Sequence, residues 1–116
     1  MGDETVLTLS GLDSVQARIM EAKGNFLLDF WGPSCAPCID LNRGLEELEA
    51  SYDDRVTFVK INADDDIDVA AHFGVRGLPT LILIHDGQIK QRWIGVMTAA
   101  ALKARLDKAL LDIPTK

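Results

Sequence analysis

The run Phe26-Leu27-Leu28-Asp29-Phe30-Trp31 is almost continuously apolar, with no alternation to mark a solvent face. A strand of that kind must be covered on both sides, so it calls for an interior position between layers of helix. Thr80 to Ile84 repeats the pattern, and Arg55 to Ile61 reads as another strand. Val6 to Leu9 is short and alternating, which suits a sheet edge. Helical spacing fills the gaps: Leu12, Val15 and Ile19 follow Ser10 as a candidate cap, with Gly24 ending that helix. Cys38, Leu41, Leu45, Leu48 and Tyr52 then form one amphipathic stripe, and Ile67 to Phe73 reads as a short helix. Asp86-Gly87 predicts a tight hairpin joining the strand over 80–84 to Gln88 through Ile94. Thr98 caps a last helix that places Leu102, Leu106 and Leu110 on one face, and Pro114 lies beyond its end. This order demands an α/β fold, a central mixed sheet of about five strands flanked on both sides by about four helices. Residues 1–116 are expected to form one domain.

Charge and length narrow the partners. The net charge is −6 and the 12 Lys and Arg are scattered, which argues against nucleic acid or an anionic membrane as a partner. The longest apolar runs, such as Leu81-Ile82-Leu83-Ile84, are far too short to span a bilayer. Met1 to Thr5 carries two acids and no basic region leading into an apolar stretch, so no secretory signal is expected in this sequence. The chain has two cysteines, both in one motif, so its fold does not depend on a framework of structural disulfides. A reducing compartment, hence a cytoplasmic location, and a monomeric state are the expectations.

The chemistry is concentrated in Cys35-Ala36-Pro37-Cys38, which follows the apolar strand and opens the second helical pattern. Disulfide exchange needs a thiolate, and an unperturbed thiol with a pKa of about 8.5 is mostly protonated at neutral pH. At a helix start, unpaired N–H groups and the positive end of the dipole favour the thiolate, so Cys35 is the expected nucleophile. Pro37 suits the first helical turn, having no N–H to leave unpaired. Cys38, on the inward stripe, is the expected resolving thiol that attacks the mixed disulfide. A zinc site is the competing reading, but it needs about four ligands and no further cysteine exists. His72 and His85 are isolated in sequence, so no metal and no cofactor are expected. Asp29 is the single carboxylate of its strand, and burial would raise its pKa toward that of a poised base. Asp64-Asp65-Asp66-Ile67-Asp68 reads as a solvated helix N-terminus rather than a cation site.

Several blocks in order resemble the thioredoxin family across nearly the whole chain: Asp29-Phe30-Trp31, Cys35-Ala36-Pro37-Cys38, Lys60-Ile61-Asn62, Gly74-Val75-Arg76-Gly77-Leu78-Pro79-Thr80, and Gly95 before the last helix. The resemblance implies that Asp29 lies behind Cys38 and assists its proton transfer through water, with Lys60 as its partner. It implies a cis Leu78-Pro79 bond facing the disulfide, where Pro79 shapes the site and discourages metal from binding the thiols. Trp31 is then a packing floor beside the site, and Leu78, Gly95 and Val96 line a shallow apolar groove for extended substrate segments. Protein disulfides are the implied substrates and a thioredoxin reductase-like protein the implied electron donor.

The chain also departs from the family pattern, which has Trp-Cys-Gly-Pro-Cys where Ser34-Cys35-Ala36-Pro37-Cys38 stands here. Ser34 removes a large apolar cover from the docking surface, and Ala36 restricts the backbone at the contact point. Ile39 replaces a common lysine, which removes nearby positive charge from Cys35, and Arg43 stands where the helix often carries a kinking proline. Three functions follow as alternatives: an atypical thioredoxin that reduces protein disulfides, a noncatalytic binding module on the same fold, and an exchanger run toward oxidation or isomerisation. The intact pair, Asp29 and Pro79 favour catalysis.

Overall fold

In a computed structural model, residues 6–52 and 55–113 are described; Met1 to Thr5 and Pro114 lie outside them. The apolar segments form the sheet, as their two-sided hydrophobicity requires. Its strands are β1 (Leu7–Thr8), β2 (Asn25–Trp31), β3 (Thr57–Asn62), β4 (Thr80–His85) and β5 (Gln88–Ile94), in the spatial order β1-β3-β2-β4-β5. β1 and β2 both run parallel to β3, whereas β4 is antiparallel to β2 and to β5. β2 is thus interior and β1 an edge. The Asp86-Gly87 turn takes positive φ at both residues, 49° and 80°, as a tight hairpin between β4 and β5 demands.

Five helices cover the sheet. α1 (Leu12–Val15) continues as a π-helical turn over Gln16–Met20, and α2 (Ala36–Asn42), α3 (Leu45–Ala50), α4 (Ile67–His72) and α5 (Ala99–Leu111) follow. On one face, Leu27, Phe58 and Leu81 pack with Leu41, Leu45, Leu48, Leu102 and Leu106 from α2, α3 and α5. On the other, Leu28, Phe30, Val59, Ile61 and Ile82 pack with Val15, Ile19 and Val69. β2, β3 and β4 therefore send alternate side chains into two separate cores, whereas β5 is exposed along most of its length.

The sequence reading needs correction in four places. The single helix expected over Cys38 to Tyr52 is broken at Arg43 and Gly44, which raises the helix count from four to five. Gly44 sits at φ −104°, ψ 4°, and its N–H donates to the Leu41 carbonyl (3.2 Å), a tightened turn that ends α2. A Cβ at Gly44 would lie 3.3 Å from the Ala99 side chain, so glycine permits the approach of α5. Ser10 does not cap α1, because Gly11 holds that position; the Ser10 hydroxyl (2.9 Å) and the Gly11 N–H (3.0 Å) both donate to Asp66 Oδ1 instead. Asp66 is consequently buried, not solvated with the rest of its acidic run. The first helix ends at Met20, while Gly24 starts the approach to β2 and donates to Asp86 Oδ1 (2.7 Å). In α5 the expected face holds: Leu102 and Leu106 are buried with Ala109, and the half-buried Leu110 packs against the same core.

Candidate active site

Parallel pairing of β2 with β3 and antiparallel pairing with β4 bring three chain segments to one end of the sheet. There β2 ends at Trp31, β3 at Asn62, and β4 begins just after Pro79, with Phe30 opposite Thr80. The cysteine motif leaves from this end.

Cys35 is the N-cap of α2, with extended backbone, and its Sγ accepts the Cys38 N–H at 3.2 Å. An N-cap oxygen usually fills this place; here a sulfur does, so the thiol is aimed at the first free N–H groups of the helix. Pro37 occupies the first turn, where its missing N–H costs nothing. The two sulfurs are bonded, with the Cα atoms 5.2 Å apart. Cys35 is half-buried and Cys38 fully buried, so only the first sulfur is open to a partner. Ser34, directly before it, is exposed, and Ala36 is exposed at the start of the helix.

Asp29 lies on the β2 face turned toward α2, and only 1% of it is exposed. Burial raises its pKa from 3.8 to about 7, and the positive charge of Lys60 pulls in the opposite direction without overcoming it. Lys60 is in register with Asp29 across β2 and β3, and its ammonium rests over the Trp31 ring, 5.0 Å from the centroid. Trp31 is half-buried, and its Nε1 is buried without a hydrogen-bond partner among the described residues.

Asn42 is the residue the sequence reading missed. Oriented so that its amide nitrogen faces acceptors, it donates to Asp29 Oδ2 (2.5 Å) and to the Cys38 carbonyl (3.2 Å). Asp29 Oδ1 is buried and has no partner among the described residues. The signal lay in the spacing, since Asn42 follows Cys38 by one helical turn and must share its face.

The Leu78-Pro79 bond is cis, and the Pro79 carbonyl accepts the Gly95 N–H at 3.0 Å, which ties the two loops flanking the motif. Leu78 packs beside Gly32, where a Cβ would lie 3.2 Å from its Cδ1. A groove of about 360 Å³ opens next to the motif, lined by Ala36, Pro37, Asp40 and Leu41 on one side and by Val96 to Ala99 on the other. Of the residues expected at a groove, Val96 lines this one together with Ala36 and Pro37 of the motif, and Leu78 and Gly95 are not among its lining residues. The wall on the α2 side is the start of that helix, which adds the carboxylate of Asp40 to an otherwise apolar lining. His72, on α4, lies by Gln16, and His85, at the far end of β4, bonds Asn25; neither joins the cysteines.

The thioredoxin family model matches residues 7–108 of this chain. Among similar proteins, thioredoxin 1 of Synechococcus elongatus is 36% identical over 93 residues, covering 80% of this chain and 87% of its own length. Thioredoxin of Rhodospirillum rubrum is 37% identical over 89 residues, 77% of this chain and 86% of its own. Thioredoxin of Pseudomonas aeruginosa is 33% identical over 94 residues, with 81% and 87% covered.

Proposed function

The chain belongs to the thioredoxin family and is a thiol-disulfide oxidoreductase working through Cys35 and Cys38, and from that premise we propose that it reduces protein disulfides, with Cys35 attacking, Cys38 resolving and Asp29 taking the proton. The carrying observation is the asymmetry of the pair: a half-buried Cys35 sulfur capped onto a helix start, and a buried Cys38 behind it.

In the reduced protein the Cys35 thiolate attacks one sulfur of the substrate disulfide, forming a mixed disulfide and releasing the first substrate thiolate. Cys38 then loses its proton to the Asp29 carboxylate, by way of water, and its thiolate attacks Cys35 Sγ. The bond between Cys35 and the substrate breaks, the Cys35–Cys38 bond forms, and the second substrate thiolate leaves to pick up a proton. Two electrons have passed from the protein dithiol to the substrate. A pKa of about 7 suits Asp29 to this work, because it both accepts and returns a proton near neutrality. An external dithiol donor of the thioredoxin reductase kind recharges the pair. On this reading the cis Pro79 faces the sulfurs, and the groove beside Ala36, Pro37 and Val96 receives an extended substrate segment. Ser34 and Ala36 make the motif atypical and reshape the docking surface. Cysteines confined to the exchange motif fit a reducing compartment, and the cytoplasm and a monomeric state are part of the same reading.

Reduction of insulin by dithiothreitol tests the assignment. Wild type accelerates it, Cys35→Ser leaves it at the uncatalysed rate, and Cys38→Ser accumulates a mixed disulfide visible by mass spectrometry. Equal activity of wild type and Cys35→Ser would exclude Cys35 as nucleophile. Redox titration of the pair sets the direction: about −270 mV supports reduction, and about −120 mV supports oxidation.

A further inference from the structure

We propose that Asn42 is a positioning residue for disulfide exchange, its amide nitrogen holding Asp29 Oδ2 and the Cys38 carbonyl together while Oδ1 is left to carry the proton of Cys38. The inference deepens the reading of Asp29 as the base of Cys38 and rests on it.

Three observations converge on this amide. First, it is the sole side-chain donor to Asp29 among the described residues, and it reaches an oxygen on a strand that is otherwise apolar from Phe26 to Trp31. A carboxylate buried to 1% exposure has two oxygens and only one is held, so the group is fixed in orientation yet keeps an open acceptor. Second, the same nitrogen reaches the carbonyl of Cys38 itself, so the base is registered to the backbone of the thiol it serves. Third, a cleft of about 120 Å³ runs from the surface to Asn42, lined also by Val6, Thr8, Arg43, Glu46 and Lys60. That is room for several waters, and two of the lining residues, Asn42 and Lys60, are the neighbours of the buried carboxylate.

Among the described residues no competing side-chain donor reaches Asp29. Lys60 from β3 faces Asp29 but gives its ammonium to the Trp31 ring, and Leu81 from β4 is apolar. Cys38 on α2 is linked to Asp29 through the same Asn42 nitrogen and becomes titratable once the disulfide is reduced, with Cys35 one turn further out. Arg43 and Glu46 sit at the cleft, with Arg43 engaged by Asp40 at 3.3 Å. A hydrogen bond donated to a carboxylate favours the charged form, so Asn42 works against the burial that disfavours it.

The test follows the Asp29 carboxyl directly, by carbon NMR against pH in the reduced protein, beside the pH profile of the resolving step on a protein disulfide. Asn42→Ala is expected to raise the Asp29 midpoint by about one pH unit, the size of a lost charge-assisted hydrogen bond, and to move the rate profile upward with it. Asn42→Asp keeps the shape of the side chain should the alanine unsettle the helix break. It places a second carboxyl beside the first, and so raises the midpoint at least as far. A midpoint unmoved in Asn42→Ala, or a wild-type titration in Asn42→Asp, overturns the role of Asn42, as does a midpoint that moves without the rate profile. Asp29→Asn with an unchanged rate and profile would instead overturn the reading of Asp29, an outcome that does not involve Asn42 at all.

Discussion

Asp29 and Lys60 stand side by side in register on parallel strands, and the lysine nonetheless places its ammonium over Trp31, 5.0 Å from the ring centroid. The carboxyl therefore feels a positive charge without an ion-pair contact, and burial dominates its titration. A tight pair would have locked Asp29 in the charged form; this arrangement leaves it free to gain and lose a proton near pH 7.

Stability should fall as the pH rises through the window set by that shift. Between 3.8 and about 7 the folded protein holds the Asp29 proton and the unfolded chain does not, so the folded state loses ground with increasing pH and the loss levels off above 7. A rise of that size corresponds to about 4 kcal/mol at most. Asp29→Asn is expected to remove this slope, leaving the variant more stable than wild type at pH 8 and nearly equal at pH 4. Urea unfolding of the oxidised proteins at several pH values measures it; parallel curves for the two proteins would contradict the burial argument.

Glu49 is buried on α3, and its Oε2 accepts the Phe58 N–H of β3 at 2.7 Å. Glu49→Ala strands that amide in the core and should cost about 1 to 3 kcal/mol. Glu49→Gln retains an acceptor oxygen and should cost less. Chemical denaturation ranks the two, and a neutral alanine variant would show that water satisfies Phe58 instead.

Val96 is 77% exposed on the wall of the groove, so it contributes little to folding and much to any apolar partner laid there. Val96→Asp should leave the melting temperature near that of wild type while raising KM for a protein disulfide about tenfold, the equivalent of about 1.4 kcal/mol of lost apolar contact. A small disulfide that does not fill the groove should react at the wild-type rate. Equal KM values for the protein substrate would remove this groove from the docking surface.

What could be read from the chain and what could not divide along a physical line. Apolar periodicity records which faces are buried, and it is local. It therefore located β2 and β4 by their two-sided hydrophobicity and the Asp86-Gly87 hairpin by its turn chemistry. It also located the start of α2, where a cysteine and a proline occupy the cap and first turn. The helix break at Gly44 escaped it, because the stripe from Cys38 to Tyr52 stays in phase across a single tightened turn.

Polar partners obey a different rule. Asn42 with Asp29, Glu49 with Phe58 and Ser10 with Asp66 join atoms on separate elements, and each depends on how a helix is rotated and seated on the sheet. A sequence reports that Asp29 is a carboxylate in an apolar strand and must be buried. Only the packed structure decides which donor reaches it, which oxygen stays open and where the groove wall falls, because hydrogen bonds require atomic distances that no periodicity encodes.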